Sequence, residues 1–188
     1  MSDTSTTSSP LAALTPGTWT VDASHSTVSF VARHLMVSKV RGNFTSFAGT
    51  LTIAEDRLQS SVEATVDVTS VNTGDAGRDG HLTSGDFFEA ETYPTWKLAS
   101  TSIRSKGSAY VLVADLTIKS VTKSVEFSLE FDGVATDPWG NTKAGFSAET
   151  EISRKEFGLE WNVALEAGGV LVGDTVKIQL DIQALKAA

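Results

Sequence analysis

The fold is decided by residues 19–47, which read WTVDASHSTVSFVARHLMVSKVRGNFTSF. Apolar and polar side chains alternate in the middle of this run, where one face is formed by Val28, Phe30 and Ala32. This two-residue period is typical of a β-strand with one buried face. A second strand begins at residues 40–44, where Gly42 predicts either the close approach of a neighbouring backbone or a bulge. Such a pair of strands needs the rest of a sheet to cover its apolar face.

The remaining chain supplies that sheet. Four later segments have one apolar and one polar face, at residues 110–118, 125–131, 144–152 and 176–184. With the earlier segments they make eight to ten short strands, separated mostly by turns rich in glycine and aspartate. The apolar faces must meet in a two-sheet sandwich or in a closed barrel. The meander-like spacing of these strands favours an all-β barrel of about eight strands, with the apolar faces lining a single continuous tube.

Composition restricts the partners of the chain. Its 188 residues include 23 acidic and 15 basic side chains, for a formal net charge of −8. This balance argues against nucleic acid, which requires clustered lysine and arginine, and it disfavours anionic lipid surfaces. No apolar run approaches the ~18 residues of a membrane span, so we expect no stable membrane insertion. The chain has no cysteine, which excludes disulfides and thiolate chemistry.

Residues 1–16 differ from the rest of the chain in composition. They are rich in serine and threonine and contain no lysine or arginine. A secretory signal has a positively charged start and an apolar middle, and this segment has neither. We therefore expect a disordered tail over residues 1–16, a single domain over residues 17–188 and a cytoplasmic protein.

Residues 75–85 interrupt the strands and are the one segment with helical character. Gly77, Gly80 and Gly85 weaken it, because glycine in a helix costs about 1 kcal/mol relative to alanine. We predict a short helical segment at the mouth of the barrel that opens easily. Phe87 or Phe88, which follow it, would then plug the apolar interior.

Eight short segments of the chain form an ordered set of motifs: WTVDASHSTVSF at 19–30, HL at 34–35, VRGNF at 40–44, RDGHL at 78–82, DFF at 86–88, LTIKSVTK at 116–123, SRKEFGL at 153–159 and VGDTV at 172–176. Together they extend over nearly all of residues 17–185. Each segment is weakly specific alone, but their order makes the set specific. In this order they resemble the YceI-like family of lipocalin-like barrels, which are described as polyisoprenoid-binding.

The resemblance implies an extended antiparallel barrel, a homodimer, and a long isoprenoid chain held in the interior. It implies no cofactor other than the bound lipid. Many members of the family are exported, a property that we do not carry over because no signal is seen in this sequence. An apolar tube suits such a ligand, since each buried CH₂ group contributes about 0.8 kcal/mol.

Two sets of residues are candidates for the binding site. The apolar cavity is expected to be lined by residues of the buried faces: Phe30, Phe44, Phe88, Leu112, Phe127, Phe146 and Trp161. A polar head group, such as a quinone ring or a diphosphate, would be held at the mouth by Asp22, His25, Arg78, His81 and Asp86. The same polar residues could instead be ion pairs or caps that fix the helical segment, and the sequence leaves both interpretations open.

The sequence favours binding over catalysis. The three histidines, His25, His34 and His81, lack the spacing of metal ligands, and no Gly-x-Ser-x-Gly turn indicates a serine hydrolase. We predict non-enzymatic binding, storage or transport of a polyprenyl compound or an isoprenoid quinone. Two alternatives remain. One is a barrel hydrolase or isomerase with His25 or His81 as general base, and the other is a filled barrel with a structural or partner-binding role.

Overall fold

The structure, a computed structural model, describes residues 10–188, and in these residues eleven strands and one α-helix are present. The strands are β1 (Gly17–Val21), β2 (Thr27–His34), β3 (Ser38–Phe44), β4 (Phe47–Ile53), β5 (Ser61–Asp67), β6 (Val71–Asn72), β7 (Thr95–Lys106), β8 (Ala109–Ile118), β9 (Val121–Thr136), β10 (Thr142–Ser153) and β11 (Val172–Lys186). The α-helix, α1, is Ala76–Thr83. Short 3₁₀ helices lie at Pro10–Ala13, Ala23–His25, Arg57–Gln59, Val68–Ser70 and Lys155–Phe157.

Eight strands form a closed antiparallel barrel. Their order is β1, β4, β5, β7, β8, β9, β10 and β11, and the end of β11 pairs with β1 to close the ring. The first part of β11 pairs instead with β2, which carries β3 and the short β6 as an extension of the sheet. The predicted all-β barrel of about eight strands is confirmed.

The interior is formed by the apolar faces that the alternation predicts. On β8, Tyr110, Leu112, Ala114, Leu116 and Ile118 are all buried. These side chains join those of the neighbouring strands in two clusters, one at each end of the barrel. The interior of the barrel is therefore lined mainly by apolar side chains.

One end of the barrel, the closing end, is covered by residues 10–14. The 3₁₀ helix buries Leu11, and Leu14 directly after it is buried too; both pack in one cluster with the completely buried Trp19. The Nε1 of Trp19 donates to the Thr15 carbonyl oxygen at 3.0 Å, and the Nε of Arg57 donates to the Leu14 carbonyl oxygen at 2.6 Å. Residues 10–14 are therefore an ordered cap of the barrel.

This cap differs from the disordered tail predicted over residues 1–16. Burial of Leu11 and Leu14 offsets the conformational entropy that ordering this short segment costs. The alternation of the strands contains no information about which terminal residues fold back over the barrel. Residues 1–9 of the predicted tail lie outside the described residues.

The opposite end, the helix end, carries α1, residues 84–94 and the segment 154–171. Lys119, in the turn after β8, connects the last two of these parts, because its Nζ lies 3.5 Å from the Oε2 of Glu89 and 3.5 Å from the Gly158 carbonyl oxygen. The helix forms despite its glycines because Asp75 caps it, accepting a hydrogen bond from the Arg78 backbone N–H at 2.9 Å. The predicted helical segment is thus a regular two-turn helix.

Among residues 10–188, no helix has both the length and the apolar character that crossing a membrane requires.

Candidate ligand-binding cavity

The barrel encloses a cavity of about 210 Å³ whose exposed surface is almost entirely apolar. It extends from Leu11 and Leu14 at the closing end to Phe30, Phe44 and Trp96 further along the interior. Pockets that hold drug-sized ligands generally measure about 300–1,000 Å³. A long hydrocarbon chain therefore requires some interior side chains to move.

A second cavity of about 90 Å³ lies towards the helix end. It is lined by Leu82 of α1, by Phe87 and Phe88, and by Arg154. The two cavities share the lining residues Phe30, Trp96, Ile118 and Ile178. The predicted continuous tube is therefore divided into two spaces by the residues that line both.

Four rings form an aromatic cluster at this division, and the cluster consists of Phe30, Phe44, Phe88 and Trp96. Their contacting centroids are 4.8 to 6.2 Å apart, in tilted or edge-to-face arrangements. Such pairs contribute about 0.5–1.5 kcal/mol beyond the area they bury. Phe30 and Trp96 line both cavities, so the aromatic cluster lies where the two cavities adjoin.

Trp96 brings an unpaired hydrogen-bond donor to this division. Its Nε1 is buried and has no hydrogen-bond acceptor among residues 10–188. A buried donor without a partner generally costs about 1–3 kcal/mol. Trp96 lines both cavities, and its N–H is the one side-chain hydrogen-bond donor among the four residues of the aromatic cluster.

Six of the seven predicted cavity residues lie at these cavities. Phe30, Phe44, Leu112, Phe127 and Phe146 line the first cavity, and Phe88 lines the second. Trp161 lines neither. Its ring packs outside the second cavity, 5.2 Å from the ring of Phe87 and 4.7 Å from that of His81, because residues 158–171 form an irregular segment rather than a strand of the barrel.

Two of the five predicted head-group residues, Asp22 and His25, lie beside β10 and β11. The Nδ1 of His25 is 2.9 Å from the Oδ2 of Asp22, and the Nζ of Lys143 is 3.3 Å from the same oxygen. Hydrogen bonds from Ser24 and His25, with a further one from Lys143, hold the pKa of Asp22 well below its usual range. Neither Asp22 nor His25 lines a cavity.

Ser24 completes a group that has the composition of a catalytic triad but not its geometry. The Oγ of Ser24 lies 3.1 Å from the Nδ1 of His25, the same nitrogen that faces Asp22. A triad histidine contacts the serine and the carboxylate through opposite ring nitrogens. This arrangement therefore cannot pass a proton from Ser24 through the ring towards Asp22.

The other three predicted head-group residues, Arg78, His81 and Asp86, lie at the helix end. Arg78 is bound to its own chain, because its Nε and Nη2 donate to the Oγ1 and carbonyl oxygen of Thr73 at 2.8 and 2.9 Å. The Nε2 of His81 lies 2.9 Å from the Oδ2 of Asp86. No hydrogen bond or ion pair within residues 10–188 joins this group to Asp22 or His25, so the five residues do not form one site.

Arg154, which the sequence did not single out as an individual site residue, organises the wall of the second cavity. It is only 3% exposed, and its guanidinium donates to the carbonyl oxygens of Gly173, Leu159, Trp161 and Val172 at 2.9, 2.7, 2.9 and 3.3 Å. Burial lowers its pKa, although arginine stays protonated in proteins. These bonds fix the irregular segment that follows β10.

Among the described residues, no group of three or more histidine, aspartate or glutamate side chains could hold a metal ion.

Comparison with known proteins identifies the family of this chain. The sequence pattern of the YceI-like domain matches residues 19–184. The chain belongs to the YceI-like family. Its relatives include a UPF0312 protein of Staphylococcus aureus strain USA300, 37% identical over 163 residues, which are 86% of this chain and 93% of that protein. A UPF0312 protein of Photorhabdus laumondii is 38% identical over 138 residues, 73% of this chain and 72% of its own.

Three solved structures resemble the fold of this chain. BcnA of Burkholderia cenocepacia superposes with a TM-score of 0.72 at 26% identity, covering 87% of this chain and 98% of its own. The YCEI protein of Campylobacter jejuni superposes with a TM-score of 0.69 at 26% identity, and the match covers 83% of this chain and 90% of that protein. A polyisoprenoid binding domain of Saccharophagus degradans superposes with a TM-score of 0.70 at 17% identity, and the match covers 90% of this chain and 98% of that domain. This likeness shows a shared fold.

Proposed function

We propose that this YceI-like protein binds a long-chain isoprenoid lipid, a polyprenyl compound or an isoprenoid quinone, without chemically changing it. The apolar cavity inside the closed barrel carries this proposal. Its lining removes hydrocarbon from water and has no charged cluster that would hold a polar substrate in a reactive position. The protein would then store the lipid or transport it.

The position of the histidines favours binding over the alternative of a lipid hydrolase or isomerase. His25 lines neither cavity, and His81 packs its ring against Phe87 and Trp161 while its Nε2 faces Asp86. A general base must reach the proton that it removes. The polyisoprenoid binding domain from Saccharophagus degradans, which shares the fold, is named for binding.

Native mass spectrometry of the protein purified from its own host tests the identity of the ligand. We expect a co-purified isoprenoid, and a different class of lipid or a ligand-free protein would contradict the proposal. A cavity-filling variant tests its location. Ala148→Phe, inside the first cavity, should weaken binding of a fluorescent polyprenyl probe at least about tenfold if the variant remains folded. Ala99→Phe, on the exposed face of β7, is the matched control.

The homodimer that the family resemblance implies stays a prediction. Homodimers with twofold symmetry are the commonest closed assembly. Light scattering across a wide concentration range should give the mass of two chains. The mass of one chain at every concentration would contradict the homodimer.

A further inference from the structure

The turn between β2 and β3 exposes three consecutive apolar side chains at the helix end. Leu35, Met36 and Val37 are 40%, 55% and 81% exposed, and the nearby Val163 and Val170 are 47% and 36% exposed. We name these five residues the apolar tip. Single exposed apolar residues are ordinary on a protein surface, whereas a contiguous group of them indicates an interaction surface.

Backbone hydrogen bonds hold the two parts of the apolar tip together. The Leu35 N–H donates to the Leu171 carbonyl oxygen at 2.8 Å, and the Leu171 N–H donates to the Val163 carbonyl oxygen at 2.9 Å. His34 pairs with Val172, whose carbonyl oxygen accepts from the buried Arg154. The apolar tip therefore adjoins the wall of the second cavity.

The backbone of the turn makes its apolar residues unexpected. Leu35 and Met36 both have positive φ, at 54° and 59°, as the two central residues of a type I′ turn do. Asn-Gly is the preferred pair at such positions, because bulky residues are strained there. Neither turn geometry nor burial accounts for leucine and methionine at these positions.

Three basic residues lie on one face of β2 and β3, next to the turn. Arg33 and Lys39 are cross-strand partners, Arg41 lies further along β3, and all three are exposed. None of them forms an ion pair within residues 10–188. On the other side of the apolar tip, the segment 154–171 carries exposed Glu156, Glu160 and Glu166 and one exposed basic residue, Lys155, so the net positive charge lies on β2 and β3.

This local charge differs in sign from that of the whole chain. No aspartate or glutamate occurs between Asp22 and Glu55, although the chain has 23 acidic residues and a net charge of −8. The net charge, which disfavours anionic lipid surfaces, is an average that does not describe this hairpin. Apolar side chains next to unpaired basic ones fit the boundary between acyl chains and anionic head groups.

We propose that the apolar tip docks shallowly on a membrane that contains anionic lipids. Leu35, Met36 and Val37 enter the outer acyl region, and Arg33, Lys39 and Arg41 contact the head groups. Docking places the helix end and the second cavity at the lipid surface. If the docked protein passes an isoprenoid between membrane and barrel, that role rests on the proposed function, whereas docking itself does not.

Co-sedimentation with vesicles tests the docking. The intact chain should bind vesicles of equal parts phosphatidylcholine and phosphatidylglycerol, bind less to phosphatidylcholine alone, and bind less as salt rises. Leu35→Asn with Met36→Gly should reduce binding at least about tenfold. This pair suits positive φ, so the turn is kept. Arg33→Gln with Lys39→Gln should remove most of the salt dependence.

Trp139→Ser is the matched control, since Trp139 is 83% exposed in the turn between β9 and β10, at the closing end. It should bind vesicles like the parent chain. Docking by the apolar tip is overturned if the parent does not sediment with the mixed vesicles, if the Leu35/Met36 variant sediments equally well, or if Trp139→Ser alone abolishes binding. It is also overturned if the Leu35/Met36 variant changes only the oligomeric state, which would make the apolar tip a contact between two copies.

Binding of a polyprenyl probe in vesicle-free solution separates the two proposals. The Leu35/Met36 variant should bind the probe like the parent chain, because neither residue lines a cavity. Failure of probe binding in the parent with retained vesicle binding would contradict the proposed function and leave docking intact. Probe binding by the parent chain without vesicle binding would contradict docking and leave the proposed function intact.

Discussion

The ring of Phe30 occupies the space in which a side chain at Gly42 would lie. The two residues are cross-strand partners in β2 and β3, and a Cβ at position 42 would come 2.8 Å from the Cε1 of Phe30 and 3.0 Å from the Cγ2 of Thr73. An aromatic ring covering a glycine on the neighbouring strand stabilises both strands. This contact also sets the position of Phe30 in the aromatic cluster that divides the two cavities.

Gly42→Ala should therefore lower the free energy of unfolding by about 1–3 kcal/mol, because the added methyl group displaces the ring. Urea denaturation measures this change. Combined with Phe30→Leu, the same substitution should cost clearly less than it does alone, since the clashing ring is gone. Strictly additive effects would show that Phe30 is not what restricts position 42.

Arg154→Met should destabilise the protein by more than about 2 kcal/mol, although methionine fills much of the same volume. The substitution removes the donors for four carbonyl oxygens around a buried site. Urea denaturation measures the loss of stability. Relative to the parent chain, hydrogen exchange should show a larger loss of protection in residues 159–173 than in β8. Unchanged protection there would mean that the segment is held by other contacts.

The strands could be predicted from the sequence because alternation directly records which face is buried. The apolar face of β8, from Tyr110 to Ile118, lies inside the barrel as expected. Gly42 was predicted to permit either a close backbone approach or a bulge, and it accommodates the ring of Phe30 instead. The cavity residues follow from the same alternation, because any inward aromatic side chain of a closed barrel borders its interior.

The residues that alternation does not describe could not be predicted. Leu11 and Leu14 cap the barrel from a segment whose composition is typical of a disordered tail. The roles of Trp96 and Arg154 depend on which backbone groups lie near them in space, and the sequence does not contain that information. Asp22 and Arg78 were grouped because both suit a polar head group, but the barrel separates them.

Trp96→Phe should distinguish ligands by their oxygen atoms. The variant keeps an aromatic ring and removes the N–H that has no acceptor among residues 10–188. We expect it to weaken binding of a polyprenol about threefold to tenfold, and to leave binding of the hydrocarbon of equal length unchanged. Competition with a fluorescent probe measures both affinities. An equal loss for the two ligands would show that Trp96 contributes only packing.

Stability should fall in acid partly through Asp22. Its pKa is lowered in the folded protein, so its contribution to stability is complete above the unfolded pKa of about 3.9 and is lost as the pH falls towards the folded pKa. Asp22→Asn should therefore be less stable than the parent at pH 7, and this difference should narrow in acid. Urea denaturation from neutral pH into the acid range measures it. If the stability difference between Asp22→Asn and the parent chain stays constant with pH, the lowered pKa of Asp22 does not contribute to the acid sensitivity.

The last prediction concerns α1 as a gate for the ligand. Leu82 of α1 lines the second cavity together with Phe87 and Phe88, whereas no residue of α1 is fully buried. A helix held by so few buried side chains should open more readily than the strands around it. Opening would expose the second cavity and then the aromatic cluster, so the rate of opening should set the rate of lipid release.

Gly80→Ala makes this prediction testable. Position 80 has no positive φ, and a Cβ there meets no atom within 4 Å, so alanine should stabilise the helix by about 1 kcal/mol. Gly77→Ala can be added, although its Cβ would lie 3.3 Å from the Oδ1 of the capping Asp75. Stopped-flow displacement of a bound polyprenyl probe should show release slowed about fivefold, with little change in affinity. Ala76→Gly should speed release. If release keeps the parent rate while hydrogen exchange shows α1 to be better protected, the lipid leaves by another route.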